Sequence, residues 1–550
     1  MRFTAFLAYV TIVTLMPPLV VLWNMGALTP FWFLAGDSYL YLGVGVSSDG
    51  LMMSFDGERA TNGFHPLWQL YVRIVAALVD NPLVLINIVS WSSILLTWVG
   101  AILLGTAIKR ITDAWMLAIL VVPGAYYLLV GQSMQNLGIW AFFDGMEAGL
   151  TMALFGLIVL VITRIDLRRF SARFWIVLGL LYATLVLTRL DEVFVPIATA
   201  FVLAFWPDLD RRYRRKAAAA ILLPTLAALS VYLLWSTATT GVPTPVSGMA
   251  KGEGALVSNA WVMLVTLFSP LLDLRALLFD YDPPRAALLG GAFRVMELLI
   301  PTVFSALLLN WVLRRERRSP WGPLMAGVAI GVLIKAGYNF TAVHFWHQAA
   351  WYYVVSSATM SLAVAMMLAP VVPRIENAGR LLRPALVIGM MVLGSFHASY
   401  YTNTVLTDST RTAQRDFWLN RASIEAELVA REPGIKMLEF GDGILNFSFE
   451  FPVRHGFVFV GDQLSLEALR SGRLLRASYA DGYRVLSSFE YLHAPAEAAT
   501  WDSDQIRAFL QASAIDIRVR DELVHFDFEM LYLAQDYGTP FIRLIPRPES

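Results

Sequence analysis

The sequence predicts a polytopic α-helical membrane protein with about eleven transmembrane helices and a C-terminal mixed α/β extracytoplasmic domain. Three observations predict it. Of 550 residues, 57% are hydrophobic and the mean hydropathy is +0.59, above the roughly 45–50% apolar content of soluble domains. Apolar runs of about 20 residues recur up to residue 400, each long enough to cross a hydrocarbon core about 30 Å thick. Beyond residue 400 the pattern shifts to short aromatic and β-branched runs.

The spans are expected at 6–26, 83–107, 114–131, 146–163, 174–190, 193–206, 217–236, 286–313, 321–343, 349–370 and 384–400. Basic clusters at Lys109-Arg110, Arg164 to Arg173, Arg211 to Lys216, Arg314 to Arg318 and Arg374 to Arg383 belong on the cytoplasmic side. Two spans fit between each consecutive pair. The first span has no small-residue cleavage site after it and reads as a retained anchor. The stretch 66–79 is too short to span and ends in Asp80-Asn81-Pro82. It suits an interfacial helix within an outer loop, 28–82. Residues 1–400 then form the membrane domain and 401–550 the soluble one. The N-terminus is cytoplasmic, and the C-terminal domain periplasmic or extracellular, in an inner (plasma) membrane.

In the C-terminal domain "IKMLEFGDGILNFSFEF", "GFVFVGD", "IDIRVR" and "FIRLIP" read as strands. "DSDQIRAFLQAS" has the cap and periodicity of a helix. There is no cysteine, which excludes disulfide and thiol chemistry. No Gly-rich nucleotide loop is present, and no nucleic-acid partner is expected.

Polar residues gather on the outer side of this topology. They lie in "AGDSYLYLGVGVSSDGLMMSFDGERATNGFHPLW" (Ala35 to Trp68), "DGMEAG" (Asp144 to Gly149), "TRLDE" (Thr188 to Glu192), "PTPVSGMAKGEG" (Pro243 to Gly254) and "HFWHQAAWYY" (His344 to Tyr353). Arg294 and Lys335 fall inside spans. Charges at membrane depth are costly and usually face a cavity or a partner. Transporters place such groups near the midplane on broken helices; here they cluster at the exit, which points to chemistry at the outer leaflet.

The ordered set "GDSYLY", "TNGFHPLW", "GMEAGL", "TRLDE", "PVSGMAK" and "GDGILNFSF…PV" resembles the GT-C superfamily of membrane glycosyltransferases. That superfamily includes protein O-mannosyltransferases, lipid A aminoarabinose transferases and arabinofuranosyltransferases. The family commonly opens its first motif with two acids, whereas this chain has Gly36 before Asp37. The resemblance implies transfer of a sugar from a polyprenyl-phosphate donor to a glycan, lipid or protein acceptor, with inversion. It implies no certain cofactor and leaves a divalent metal open. Such a reaction needs a general base for the acceptor hydroxyl and cations for the departing phosphate. Asp37 suits the base; the plain alternative is a helix cap or a solvated anchor.

The remaining candidates are substrate-binding. Tyr41 and Ser247 belong to the matched motifs. Arg189 and Asp191 read either as a phosphate grip with its orienting acid or as a structural ion pair. Arg294 and Glu297 are spaced as an internal pair. Lys335 lacks a local partner in sequence. Lys251 follows a Pro/Gly-rich loop that can order over a ligand. His65 precedes the interfacial helix and can bond the backbone there. Glu147 reads as a turn residue or a ligand to sugar hydroxyls. His344, His347 and Tyr352 form an aromatic belt or a wall for sugar and phosphate; the two histidines have metal-like spacing without a nearby third ligand. A flippase or transporter of a lipid-linked sugar, and a ligase moving a whole glycan, are the alternative functions.

Overall fold

The computed structural model describes residues 3–50, 52–127, 140–165, 171–252, 255–272, 285–316, 319–344, 347–348, 350–372, 382–441, 443–513 and 515–548. The side chains of Arg294 and Glu297, most of the cluster Arg374 to Arg383, parts of Arg164 to Arg173 and Arg314 to Arg318, and Phe345, Trp346 and Ala349 lie outside the described residues. The chain divides into two compact units. One comprises 1–29, 90–231 and 251–406; the other comprises 30–89, 232–250 and 407–550.

The first unit is helical. Six segments are long and apolar enough to cross a membrane: Phe3–Trp32, Pro82–Thr112, Arg211–Thr240, Leu298–Glu316, Gly322–Ala342 and Trp351–Val371. Shorter apolar helices at Ala148–Ile162 and Ala172–Thr188 accompany them. The chain is thus a multi-pass helical membrane protein, and each expected span falls on a helix. In chain order the helices are α1 (Phe3–Met25), α2 (Gly36–Ser47), α3 (Pro66–Leu78), α4 (Pro82–Thr112), α5 (Trp115–Tyr127), α6 (Trp140–Phe143), α7 (Ala148–Ile162), α8 (Ala172–Thr188), α9 (Phe194–Phe205), α10 (Arg211–Thr240), α11 (Val246–Lys251) and α12 (Ala255–Leu272). They continue with α13 (Arg285–Trp311), α14 (Gly322–Ala342), α15 (Val354–Leu368) and α16 (Leu382–Leu406). The sequence assigns no span to 237–285, because two spans already satisfy the basic clusters on either side. Residues from Ala255 to Leu264 are nevertheless apolar, and α12 forms there.

The contact between α9 and α14 depends on small residues. A Cβ on Gly327 would stand 2.4 Å from Thr199 Cα, and one on Gly331 2.5 Å from Val195 Cα. Two glycines four apart let the helix axes approach closely, which favours packing where solvent supplies no hydrophobic drive.

In the second unit, α17 (Ser409–Arg431) leads into a five-stranded sheet of order β2-β1-β3-β5-β4. Its strands are β1 (Met437–Glu439), β2 (Val453–His455), β3 (Val485–Ser487), β4 (Phe526–Ala534) and β5 (Thr539–Pro546). β1 pairs in parallel with β2 and β3, Met437 standing opposite Val453 and Val485. β5 runs antiparallel to β3 and β4. The helix expected in "DSDQIRAFLQAS" is Ser503–Ala512, opened by a full capping box on Asp502 and Gln505.

Three expected strands are corrected. "ILNFS" is the helix α18 (Ile444–Ser448), started by Gly443 at φ 91°. "IRVR" is a helical turn capped by Asp516. "GFVFVGD" is turn structure, with Val458 at φ 62°. Short buried apolar runs have the same composition in helix and strand, so only backbone signals at their starts separate them. β2, β3 and β4 lie outside the stretches that read as strands.

The helix expected at 66–79 is α3, with His65 as N-cap and Pro66 in its first turn. Trp68, Gln69, Val72 and Val75 are buried. Leu70, Ile74 and Leu78 are 43%, 51% and 79% exposed, forming an apolar stripe at four-residue spacing.

Gly331→Ala should lower stability by roughly 1–3 kcal/mol through overpacking. Gly337→Ala, on the same helix with nothing within 4 Å of its Cβ position, should be neutral or stabilising. Thermal unfolding of detergent-purified variants checks the contrast; equal effects would show that the α9–α14 approach is not tight.

Candidate functional site

In the helical unit five charged side chains from separate segments converge. Glu147 is the N-cap residue of α7. Arg189 ends α8, and Asp191 and Glu192 lie in the 3-10 turn Leu190–Val193 before α9. Lys335 comes from α14. Arg189 Nη1 donates to Glu147 Oε1 at 2.6 Å, and its Nε and Nη2 donate to Asp191 at 3.1 and 3.4 Å. Lys335 Nζ lies 3.1 Å from Asp191 Oδ2 and also donates to Glu192 Oε1. The Tyr352 ring covers the guanidinium, 4.6 Å from Cζ to centroid.

Glu147, Arg189, Glu192 and Lys335 are buried, whereas the Asp191 side chain keeps 11% of its surface. Asp191 is therefore both the bridge between the cations and the member of the cluster that a solvent-borne ligand can meet. The five groups sum to three acids and two bases. Glu192 Oε2 is buried without a hydrogen-bond partner among the described residues. The sequence reading gave Lys335 no local partner; its acids come from 143 and 144 positions earlier in the chain. Glu192, inside "TRLDE", was not singled out, although its place beside Asp191 was the available signal.

Beside this cluster, the loop after α14 is tied by two amides. Gln348 Nε2 donates to the carbonyls of Asn339 (3.0 Å) and Val343 (2.7 Å), and Tyr353 Oη donates to Gln348 Oε1. Asn259 Nδ2 from α12 donates to Phe340 O and Val343 O at 2.7 and 2.8 Å. These bonds satisfy carbonyls that the helix end leaves open. The His344 amide donates to Lys251 O at 3.0 Å, and the His344 and His347 rings stand 6.2 Å apart. Burial pushes the His344 imidazole below its ordinary value. Among the described residues no group of three His, Asp or Glu side chains has the arrangement of a metal site; the three acids of the cluster accept from Arg189 and Lys335 instead.

The second unit gathers the first-loop candidates. Asp37 lies in the first turn of α2 and is half-buried. Tyr41, one turn on, accepts from the His65 amide at its hydroxyl (3.3 Å) and from Gln69 Nε2 at its carbonyl (3.1 Å). His65 thus meets the Tyr41 side chain through its own backbone amide, and its imidazole makes no cap bond to the α3 start. Ser247 sits in α11, whose Val246 amide donates to Asn62 Oδ1 at 2.9 Å. Asn62 also donates to Ser236 Oγ at 2.6 Å and Thr244 O at 3.0 Å. Asn62 and Gln69 were not singled out, and Asn62 lies within the quoted "TNGFHPLW".

No family model matches the chain, and no curated protein matches it. Among solved structures it is similar to the oligosaccharyltransferase of Archaeoglobus fulgidus in complex with zinc and sulfate: 12% identity, 95% of this chain, 71% of that chain and TM-score 0.47. The same enzyme tethered to an acceptor peptide gives 11% identity, 94% and 70% coverage and TM-score 0.46. ArnT of Cupriavidus metallidurans bound to undecaprenyl phosphate gives 12% identity, 96% and 99% coverage and TM-score 0.41. Both proteins are GT-C membrane glycosyltransferases. These are distant likenesses, and the functional reading stands on the chain's own residues.

Lys335→Met strips Asp191 and Glu192 of a cation inside an apolar surround. It should cost about 3–5 kcal/mol, the penalty for an uncompensated buried charge. Adding Glu192→Gln should recover much of the loss, because both charges then go together. Thermal melting in detergent reads this; a double variant as unstable as the sum of its parts would contradict the pairing.

Proposed function

We propose that the chain is a GT-C-type glycosyltransferase that moves a sugar from a polyprenyl-phosphate donor to an acceptor hydroxyl at the outer face of the membrane, inverting the anomeric centre. The observation that carries this reading is the Glu147–Arg189–Asp191–Lys335 cluster in the helical unit. Ionised groups at membrane depth are costly and are kept for function by default. Two cations joined by one partly exposed carboxylate make a place where an anion can exchange for that carboxylate. Arg189 supplies a planar fork suited to phosphate oxygens.

In the reaction, the Asp37 carboxylate takes the proton of the acceptor hydroxyl. The acceptor oxygen bonds to the anomeric carbon while the bond from that carbon to the phosphate oxygen breaks. Its electron pair leaves on the polyprenyl phosphate. Phosphate is already a good leaving group, so the cations need only offset its charge. Tyr352, His344, His347, Lys251, Ser247, Tyr41 and His65 are assigned to substrate binding on the same reading. The exposed stripe of α3 suits the membrane interface, with the N-terminus cytoplasmic and residues 401–550 on the outer side.

Purified protein incubated with a panel of polyprenyl-phosphate sugars and acceptors should release polyprenyl phosphate as acceptor is consumed. Asp37→Asn should lower turnover by about 10²–10⁴-fold, the usual loss for a general base, while donor binding survives. Near-normal turnover would remove Asp37 from that role and point to Asp191 or Glu147. Movement of intact lipid-linked sugar across vesicles without bond cleavage would replace the enzyme reading with the flippase one.

A further inference from the structure

The segment from Gly443 to Asn446 does something that its own sequence does not announce. It lies in the soluble part of the second unit, about 400 residues after Asp37, and it touches the helix that carries Asp37 at two places. Gly443 adopts φ 91°. A Cβ there would stand 3.1 Å from Leu40 N and 3.2 Å from Tyr39 C. The Gly443 backbone is thus seated on the Tyr39–Leu40 peptide, in the turn of α2 that follows Asp37. Further along α2, Asn446 Oδ1 stands 2.1 Å from where a Gly43 Cβ would be.

Asn446 is buried and links three segments. While its carbonyl oxygen faces Gly43, its Nδ2 donates to Phe55 O at 2.7 Å and to Val453 O at 3.3 Å. The start of α18 is itself fixed. Glu439, at the end of β1 and fully buried, accepts from the Leu445 amide at 3.1 Å and the Asn446 amide at 3.2 Å. A continuous set of rigid contacts therefore runs from the sheet through Glu439 to α18, and from α18 to α2. On the other flank a Gly45 Cβ would meet Val72 Cγ1 of α3 at 2.8 Å, and Arg73 donates to Gly45 O at 3.3 Å. A helix of 12 residues held this closely has little freedom to slide or rotate.

We propose that Asn446 and Gly443 are positioning residues for Asp37, setting where its carboxylate meets the acceptor hydroxyl. This rests on Asp37 being the base. Misplacing a reacting group by about 1 Å can cost about 10²-fold in rate, so a latch on the first turns of α2 has leverage on turnover without touching substrate.

The test is a double-mutant cycle on the full-length protein, with radiolabelled donor so that slow turnover is measurable. Asn446→Ala should lower kcat by about 10–10²-fold with the KM for donor unchanged, measured below the variant's own melting temperature, which the two lost buried hydrogen bonds should lower. In an Asp37→Asn background the same substitution should cost nothing further, because residues that act through one another are non-additive. Gly43→Ala, which presses on the same contact from the α2 side, should reproduce the pattern and serves if Asn446→Ala folds poorly. Equal losses in both backgrounds, or no loss in either, would overturn the positioning role. If Asp37→Asn alone turns over like wild type, the base assignment falls and this inference with it. If Asp37→Asn is impaired and Asn446→Ala is not, only the inference falls.

Discussion

A charge inside an apolar helical unit must be neutralised by another charge, and that constraint shapes the candidate site. Removing one partner from a buried pair typically costs about 3–5 kcal/mol, comparable with a large share of a domain's net stability. Glu147, Arg189, Asp191, Glu192 and Lys335 meet the constraint together, not in separate pairs. Asp191 serves both cations. The segments that bear these residues, at the ends of α7 and α8, the turn before α9, and α14, are thereby fixed against one another. The close glycine approach of α14 to α9 brings Lys335 within reach of the turn. The same arrangement poses the functional question. On the proposed reading, a phosphate at this site competes with a carboxylate already in place.

The second unit solves a similar problem for a loop. Asp56 accepts from Arg454 Nε at 3.3 Å and from Tyr483 Oη at 3.0 Å. Asp481 accepts from Arg454 Nη1 at 2.6 Å and Arg59 Nη2 at 2.7 Å, and Lys436 pairs with Glu58. Burial, followed by the Asp56 carboxylate, pushes the Tyr483 hydroxyl well above its ordinary value, so it stays a donor. These bonds hold residues 54–61 against the sheet, with Thr61 Oγ1 donating to Gly461 O at 2.8 Å. Much of the polarity of the first loop is spent on this docking. Asp37, half-buried in the first turn of α2, is the base on the proposed reading.

The legible parts of the sequence were those with a long period or a strong local signal. Membrane helices announce themselves through length and hydropathy. The α3 start was marked by His65-Pro66, and the helix 503–512 by Asp502 and Gln505. Within the site, Arg189, Asp191 and Lys335 were visible as rare charges in apolar surroundings. What could not be read were partners far apart in sequence. Lys335 meets Asp191 and Glu192, and Asn446 meets Gly43, through tertiary packing that leaves no spacing to count. The short strands β2 and β3 escape the sequence reading because three residues are too few for a period of two to show.

The proposed competition between Asp191 and a lipid phosphate can be measured directly. Binding of a polyprenyl phosphate to detergent-solubilised protein should tighten in Asp191→Asn, because the substitution removes the anion that Arg189 and Lys335 now share while leaving both cations in place. Turnover in the same variant should not rise with the affinity, since tighter hold on the departing phosphate does not supply a base. Unchanged or weaker binding of polyprenyl phosphate by a folded Asp191→Asn protein would contradict the account, and would mean that the two cations serve the fold alone.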